Sequence, residues 1–181
     1  MSAPDLVLHT VGHSNRSARE FLDLLHAHAI VAVADVRSLP RSRRNPHFNS
    51  EALADTLGEA GILYSGMPAL GGLRRPRPGS RHLGLPEGGF RAYADYMETP
   101  AFESALDVLM AFALRRRSAI LCAEADYRNC HRSLLSDALQ QRKVEILHIT
   151  GIDQLEQHQR TGCARVLAGR LAYPAEQGSL F

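Results

Sequence analysis

Short apolar runs typical of β-strands alternate with amphipathic helical segments along most of this 181-residue chain. Consecutive strands separated by helices pair in parallel through right-handed crossovers, which place helices on both faces of the sheet. The alternation therefore predicts an α/β fold with a mostly parallel central sheet. The predicted strands span residues 5–11, 30–36, 62–66, 118–124 and 144–150.

Capping residues indicate where the helices between these strands begin. Ser17 is followed three residues later by Glu20, which is the spacing of a capping box. Ser50 is the predicted N-cap of a second helix, and Thr99 is that of a third. A fourth helix is predicted over residues 130–142, so that each connection between predicted strands contains one helix.

The composition, 45% hydrophobic and 22% charged, supports a well-packed core and excludes disorder along most of the chain. We predict a single domain over residues 1–173 and a flexible tail over residues 174–181. No apolar run approaches the roughly 18 to 20 residues that span a bilayer, and the first residues lack the features of a signal peptide. Three cysteines, an odd number, argue against a disulfide framework. We therefore expect a cytoplasmic protein that does not associate with membranes.

Arginine dominates the basic residues, since Lys143 is the single lysine among 21 Lys and Arg residues. A GC-rich coding sequence would produce the same bias, so the positions of the arginines are more informative than their number. Residues 36–50 and 60–86 contain arginine but no acidic residue. Guanidinium groups bind phosphate through paired hydrogen bonds, and the two segments therefore predict a ligand with several phosphates. Their arginines are Arg37, Arg41, Arg43, Arg44, Arg74, Arg75, Arg77 and Arg81.

Polar side chains follow three of the predicted strands, at the point where each strand ends. In open α/β sheets the ligand crevice lies beyond the carboxyl ends of the strands, so these side chains are the candidate site. They are His13, Ser14 and Asn15 after the first strand, Asp35, Arg37 and Ser42 after the second, and Glu124, Cys130, His131 and Arg132 after the fourth.

Three of these residues are predicted to be catalytic. Asp35 ends an apolar strand, where a carboxylate is costly without a function or a partner; an ion pair with Arg37 is the alternative. Glu124 directly follows an apolar strand, and we expect it to act as a general base or to stabilise developing positive charge. His131 is the expected proton donor.

The remaining polar residues of the rim are predicted to hold substrate. Backbone N–H groups and the dipole at the start of the fourth helix favour an anion there, close to Cys130 and Arg132. Tyr64, Phe90 and Tyr93 are candidate stacking surfaces for a base. The predicted phosphate-binding or substrate-binding residues are His13, Ser14, Asn15, Arg37, Arg41, Ser42, Arg43, Arg44, Cys130 and Arg132.

Cys122, Cys130 and His131 are an alternative set of metal ligands. Seven residues separate the two cysteines, and the strand pattern directs Cys122 into the core. The sequence therefore favours a site without a metal, and it implies no other cofactor.

Several sequence blocks together resemble the domain of unknown function family 488. The resemblance extends from Val11 to Ile149 and implies a Rossmann-like three-layer α/β sandwich, but it names no substrate. The blocks are TVGHSNRS (10–17), ADVRSLPRSRRNPHFN (34–49), LYSGMPALGGLR (63–74), FRAYADYM (90–97), ILCAEADYRNCHR (120–132) and ILHIT (146–150).

The last residues, AEQGSLF, fit the Q-x-x-L-F pattern by which bacterial repair proteins bind the sliding clamp. Gln177, Leu180 and Phe181 would be the contact residues, although Leu180 and Phe181 are equally able to pack on the domain. The tail and the arginine segments together favour an enzyme acting on nucleic acid, with DNA favoured, or on a nucleotide, in DNA repair. N-glycosidic cleavage and cleavage at phosphate are the reactions considered. The alternatives are a small-molecule nucleotide-binding or nucleotide-processing domain and a non-catalytic DNA-binding adaptor recruited by the clamp.

Overall fold

The computed structural model describes residues 6–175. Strands are separated by helices up to residue 151, and three short strands follow. In chain order the elements are β1 (Val7–Gly12), α1 (Ala18–Ala27), β2 (Ala32–Asp35), α2 (Ser50–Glu59), β3 (Leu63–Gly66), α3 (Gly89–Met97), α4 (Pro100–Ala113), β4 (Ser118–Cys122), α5 (Arg132–Gln141), β5 (Glu145–Gly151), β6 (Gln154–Gln157), β7 (Arg165–Leu167) and β8 (Arg170–Ala172).

A six-stranded sheet in the order β3-β2-β4-β1-β5-β6 forms the centre of the fold. Strands β1 to β5 are parallel and β6 is antiparallel to β5. The predicted α/β sandwich with a mostly parallel sheet is confirmed. The strand 144–150 is not the last one, however, because β6 follows it and β7 pairs with β8 in a separate hairpin. Of the helices in residues 6–175, none is long and apolar enough to cross a membrane.

Each face of the sheet has its own hydrophobic core. On one face Phe21 and Leu25 of α1 pack with Leu53 and Leu57 of α2. The other face is covered by α3, α4 and α5, whose buried side chains include Tyr93, Phe102, Leu106, Leu134 and Leu135. Because both faces are covered, the strand ends are the places where the sheet meets solvent.

The helix starts mostly follow the predicted caps. Ser17 and Glu20 form the reciprocal capping box, and the Thr99 side chain accepts a hydrogen bond from the Phe102 N–H. Helix α2 differs, because its N-cap is Asn49 and the predicted cap Ser50 is its first residue. The Asn49 side chain instead accepts a hydrogen bond from the Ser42 N–H at 2.7 Å, which ties down the preceding arginine loop.

A chain of buried polar groups joins β1, β5, α5 and the C-terminal segment. Thr10 Oγ1 lies 2.6 Å from His148 Nδ1, and His148 Nε2 lies 3.0 Å from His158 Nδ1. His158 Nε2 is 2.8 Å from Asp137 Oδ1, and the Tyr173 hydroxyl donates to Asp137 Oδ2 at 3.0 Å. All five side chains are almost completely buried, so the network holds the last described residues against the domain.

Candidate active site

A crevice of about 330 Å³ lies beyond the carboxyl ends of β2 and β4. The loop after β2 forms one wall, the end of β4 forms the floor, and residues before α3 and α5 complete it. This is the position that the strand order predicts for a ligand. The residues that line it are Arg37, Ser38, Leu39, Gly72, Leu73, Gly89, Phe90, Cys122, Ala123 and His131.

Asp35 is locked in an ion pair with Arg37 at the edge of this crevice. Arg37 donates from Nε to Oδ1 at 2.8 Å and from a terminal nitrogen to Oδ2 at 2.6 Å. The Tyr64 hydroxyl donates to Oδ2 at 2.8 Å, and burial together with the charge of Asp35 raises the pKa of Tyr64. Asp35 is 1% exposed, and both of its oxygens are engaged. Its carboxylate therefore orients Arg37, which is the ion-pair alternative that the sequence left open.

His13 supports the same arginine from the β1 side. Its Nε2 accepts a hydrogen bond from Arg37 at 3.2 Å, and its Nδ1 donates to the Ser14 carbonyl at 2.8 Å. The ring stacks on Phe48 with centroids 4.3 Å apart. Burial, with a further contribution from the Arg37 charge, lowers the pKa of His13 to about 4. His13 is thus a neutral acceptor that positions Arg37, whereas Ser14 and Asn15 lie further out on the loop.

Two thiols and an imidazole meet in the wall of the crevice. His131 Nδ1 lies 3.6 Å from Cys130 Sγ and 3.9 Å from Cys122 Sγ. The three potential ligand atoms are all within 4.8 Å of one another. Cys122 lines the crevice, although the strand pattern directs it into the core. Hydrogen bonds from the Cys122 thiol and from His131 hold the pKa of Cys130 well below its usual value, while the pKa of Cys122 is raised.

The His131 ring is held from two sides. A Cβ atom at Gly72 would lie 2.6 Å from His131 Nδ1, so only glycine fits against this face of the ring. The Tyr93 ring packs edge-on with its centroid 5.0 Å from that of His131. Nε2 is buried and has no hydrogen-bond partner within residues 6–175. The orientation of the ring therefore depends on packing, and Nδ1 is directed at the two sulfur atoms.

Arg132 and Glu124 do not belong to the crevice lining. Arg132 is 1% exposed, and its guanidinium donates to Thr10 Oγ1 and to the carbonyls of Glu124 and Ala125. These bonds fasten the loop after β4 to β1 and leave Arg132 outside the crevice lining. The Glu124 side chain is exposed and forms no ion pair with any described residue. Of the ten candidate residues at the strand ends, Arg37 and His131 line the crevice, whereas Asp35, Glu124 and Arg132 do not.

The two arginine segments differ in what their guanidinium groups contact. Arg41, Arg43 and Arg44 are exposed, and their side chains have no hydrogen bond or ion pair within the described part of the chain. In the second segment Arg74 lies over the Tyr96 ring, at 3.5 Å from its centroid, and Arg77 and Arg81 pair with Glu98. The first segment therefore offers three unpaired charges, and Arg75 in the second is also exposed without a side-chain partner among the described residues. The acidic partners of the second come from α3 and its C-cap, which the local sequence does not reveal.

Apolar side chains flank the opening of the crevice. Leu39 is 71% exposed and Leu73 is 70% exposed, and both line the crevice together with Phe90. Of the three aromatic residues considered for stacking, Phe90 alone belongs to the lining, because Tyr93 is buried and donates its hydroxyl to the Leu70 carbonyl. The opening thus combines an apolar surface with a nearby unpaired basic loop.

The fold and the site define an α/β domain with a largely apolar crevice at the carboxyl edge of its sheet, to which Arg37, Ser38 and His131 contribute polar groups. The family model of the domain of unknown function DUF488 matches residues 17–139, and the chain belongs to this family. The matched range contains the loop after β2, the end of β4 and the start of α5, but not His13 or the ILHIT block. No curated protein and no solved structure is detectably similar to this chain.

Proposed function

We propose that this protein is an enzyme that acts on a nucleic acid or a nucleotide, with DNA favoured, and that the reaction takes place in the crevice. One observation carries the proposal. The loop that forms a crevice wall through Arg37, Ser38 and Leu39 continues into Arg41, Arg43 and Arg44, whose charges are unpaired within the described residues.

The loop suits a phosphate backbone because exposed guanidinium groups gain most from an external anion when no internal carboxylate competes. The apolar opening formed by Leu39, Leu73 and Phe90 suits a base that leaves its stack. Both features adjoin one crevice of about 330 Å³, which is the lower end of the size range for small-ligand sites.

Within this proposal the residues have distinct roles. Glu124, exposed two residues after β4 and outside the crevice lining, would reach a substrate bound at the crevice as the general base or as the stabiliser of positive charge at a sugar or phosphate centre. His131, the proton donor that the sequence predicts, lines the crevice and would exchange a proton with the substrate only while no metal ion occupies its Nδ1. Asp35 and His13 are positioning residues, since both contact Arg37 rather than the space in the crevice.

Charge reversal of the loop tests the binding half of the proposal. The variant Arg41→Glu/Arg43→Glu/Arg44→Glu should lose DNA binding in fluorescence anisotropy. For the parent, log Kobs should fall against log salt with a slope of magnitude about 2.7 or more, since each of three phosphate contacts contributes about 0.9. A matched control is Arg115→Glu/Arg116→Glu/Lys143→Glu, which changes the net charge equally at the amino ends of β4 and β5. A parent without affinity at low salt, or equal losses in both variants, would remove nucleic acid from the proposal.

Replacing Glu124 by Gln separates an enzyme from an adaptor. The exposed side chain has no structural partner in residues 6–175, so folding and DNA binding should be retained. Labelled single-stranded and double-stranded oligonucleotides should be cleaved, or lose a base, with the parent at least 100-fold faster than the variant. Equal rates for parent and variant, or no turnover by either, would favour a non-catalytic DNA-binding adaptor.

A setting in DNA repair rests on the C-terminal peptide, and Gln177, Leu180 and Phe181 lie outside the described residues. A synthetic AEQGSLF peptide should bind a bacterial sliding clamp at micromolar strength, which corresponds to about 8 kcal/mol. Replacing Leu180 and Phe181 by Ala should abolish binding, because two apolar anchors supply much of this energy. A large fall in Tm when the same change is made in the full chain would mean that both residues belong to the core.

A further inference from the structure

We propose that Cys122, Cys130 and His131 form a binding site for a Zn²⁺-class metal ion, with one coordination position open to the crevice. The two cysteines reach the site from different elements, Cys122 from the end of β4 and Cys130 from the loop before α5. Their meeting is a consequence of the fold, since seven residues separate them in the sequence.

The distances are those of a tetrahedral site. A zinc ion lies about 2.3 Å from thiolate sulfur and about 2.0–2.1 Å from imidazole nitrogen, so tetrahedral angles separate the sulfur and nitrogen by about 3.6 Å. The corresponding distances from His131 Nδ1 are 3.6 and 3.9 Å, and no pair of ligand atoms exceeds 4.8 Å. The two sulfurs of a tetrahedral site lie about 3.8 Å apart, so a metal ion fits between the three atoms with side-chain shifts of at most about 1 Å.

The donor set selects the kind of metal. Two sulfur atoms and one imidazole favour a borderline or soft ion such as Zn²⁺ over Mg²⁺ or Ca²⁺, which prefer oxygen. Cys122 and Cys130 are at most 7% exposed, so solvent does not compete from the core side. Gly72 and Tyr93 fix the His131 ring with Nδ1 directed at the sulfurs, which reduces the ordering needed on binding.

The open position distinguishes this site from a purely structural one. Structural zinc sites use four protein ligands, whereas catalytic sites use three and leave the fourth to water or substrate. Here three protein ligands are present among the described residues, and Cys122 and His131 line the crevice. The fourth ligand would be an oxygen of water or of a substrate. That use of the position rests on the proposed function, whereas metal binding itself does not.

Metal content and cobalt substitution test the site in the full-length chain. Protein purified under reducing conditions should contain one equivalent of zinc per chain, as measured by elemental mass spectrometry. The Co²⁺ form should show thiolate-to-cobalt charge-transfer absorption and the visible bands of a tetrahedral site. Cys122→Ser, Cys130→Ser and His131→Ala should each lower zinc affinity at least 100-fold, whereas Cys163→Ser, a change at the third cysteine, should not alter it. Gly72→Ala, which displaces the imidazole, should weaken binding about 10-fold to 100-fold.

The outcomes are distinguishable from failure of the proposed function. Variants changed at Arg41, Arg43 and Arg44 should retain zinc even when they lose DNA binding. The zinc measurement on the parent alone decides whether the metal site exists. A folded, reduced parent that takes up neither Zn²⁺ nor Co²⁺ would overturn the metal site. Isolation of the parent with a Cys122–Cys130 disulfide that persists in added zinc and reductant would overturn it in favour of a structural disulfide.

Discussion

Replacing Asp35 by Ala is expected to lower the free energy of unfolding by about 3–5 kcal/mol, because Arg37 would be left buried without its counter-ion. Arg37 is 7% exposed and donates to both carboxylate oxygens, and no other acidic side chain pairs with it among the described residues. Urea denaturation followed by circular dichroism measures the loss. The Tm should fall by roughly 6–20 °C, at about 2–4 °C per kcal/mol for a chain of this length.

A double variant provides the control for this prediction. Asp35→Leu/Arg37→Met removes both charges and fills similar volume, so it should recover most of the stability that Asp35→Ala loses. Tyr64→Phe removes one hydrogen bond to the carboxylate and should cost only about 1 kcal/mol. If Asp35→Ala were as stable as the parent and lacked only turnover, Asp35 would be the catalytic carboxylate that the sequence suggests, and the positioning role would be wrong.

The central sheet could be predicted because burial on both faces makes its parallel strands continuously apolar. Residues 32–35 and 118–122 are buried throughout, and each follows a helix with a clear apolar stripe. Strands β6, β7 and β8 lack this signal, since residues 154–157 and 165–167 are mostly exposed. They form by local pairing at the edge of the sheet or in a hairpin, where no buried face imposes a pattern.

The location of the site could be predicted, but the partners of its side chains could not. The rule about strand ends places Asp35, Glu124 and His131 at one edge of the sheet, and the crevice lies there. It does not give the direction of a side chain. Arg132 reaches back to backbone carbonyls, whereas Cys122 turns toward the crevice. The direction of each side chain depends on which neighbouring groups form hydrogen bonds with it, and those neighbours lie on other helices and strands.

The buried histidines lead to a second large effect, loss of stability in mild acid. Burial lowers the pKa of His9 to about 4, of His13 to about 4 and of His148 to about 2, from 6.5 in each case. The charges of His158, Arg132 and Arg128 act in the same direction at His148. As the pH falls below 6.5, the unfolded chain binds protons that the folded protein excludes, so stability falls until the pH reaches the folded-state values.

The slope of the unfolding free energy against pH measures this effect. Between about pH 6 and pH 5, each of the three histidines contributes up to about 1.4 kcal/mol per pH unit to the slope, and together they contribute up to about 4 kcal/mol per unit. This interval lies above the range in which most carboxylates titrate. Urea denaturation at several pH values should show a steep fall of the unfolding free energy of the parent as the pH decreases.

His148→Gln should reduce the slope by up to about 1.4 kcal/mol per pH unit whatever its effect on absolute stability, because the slope depends only on the number of protons taken up on unfolding. His26→Gln, at an exposed position of α1, is the matched control. A parent whose stability is flat over this interval, or equal slopes in the parent and the His148 variant, would mean that His148 takes up its proton in the folded state.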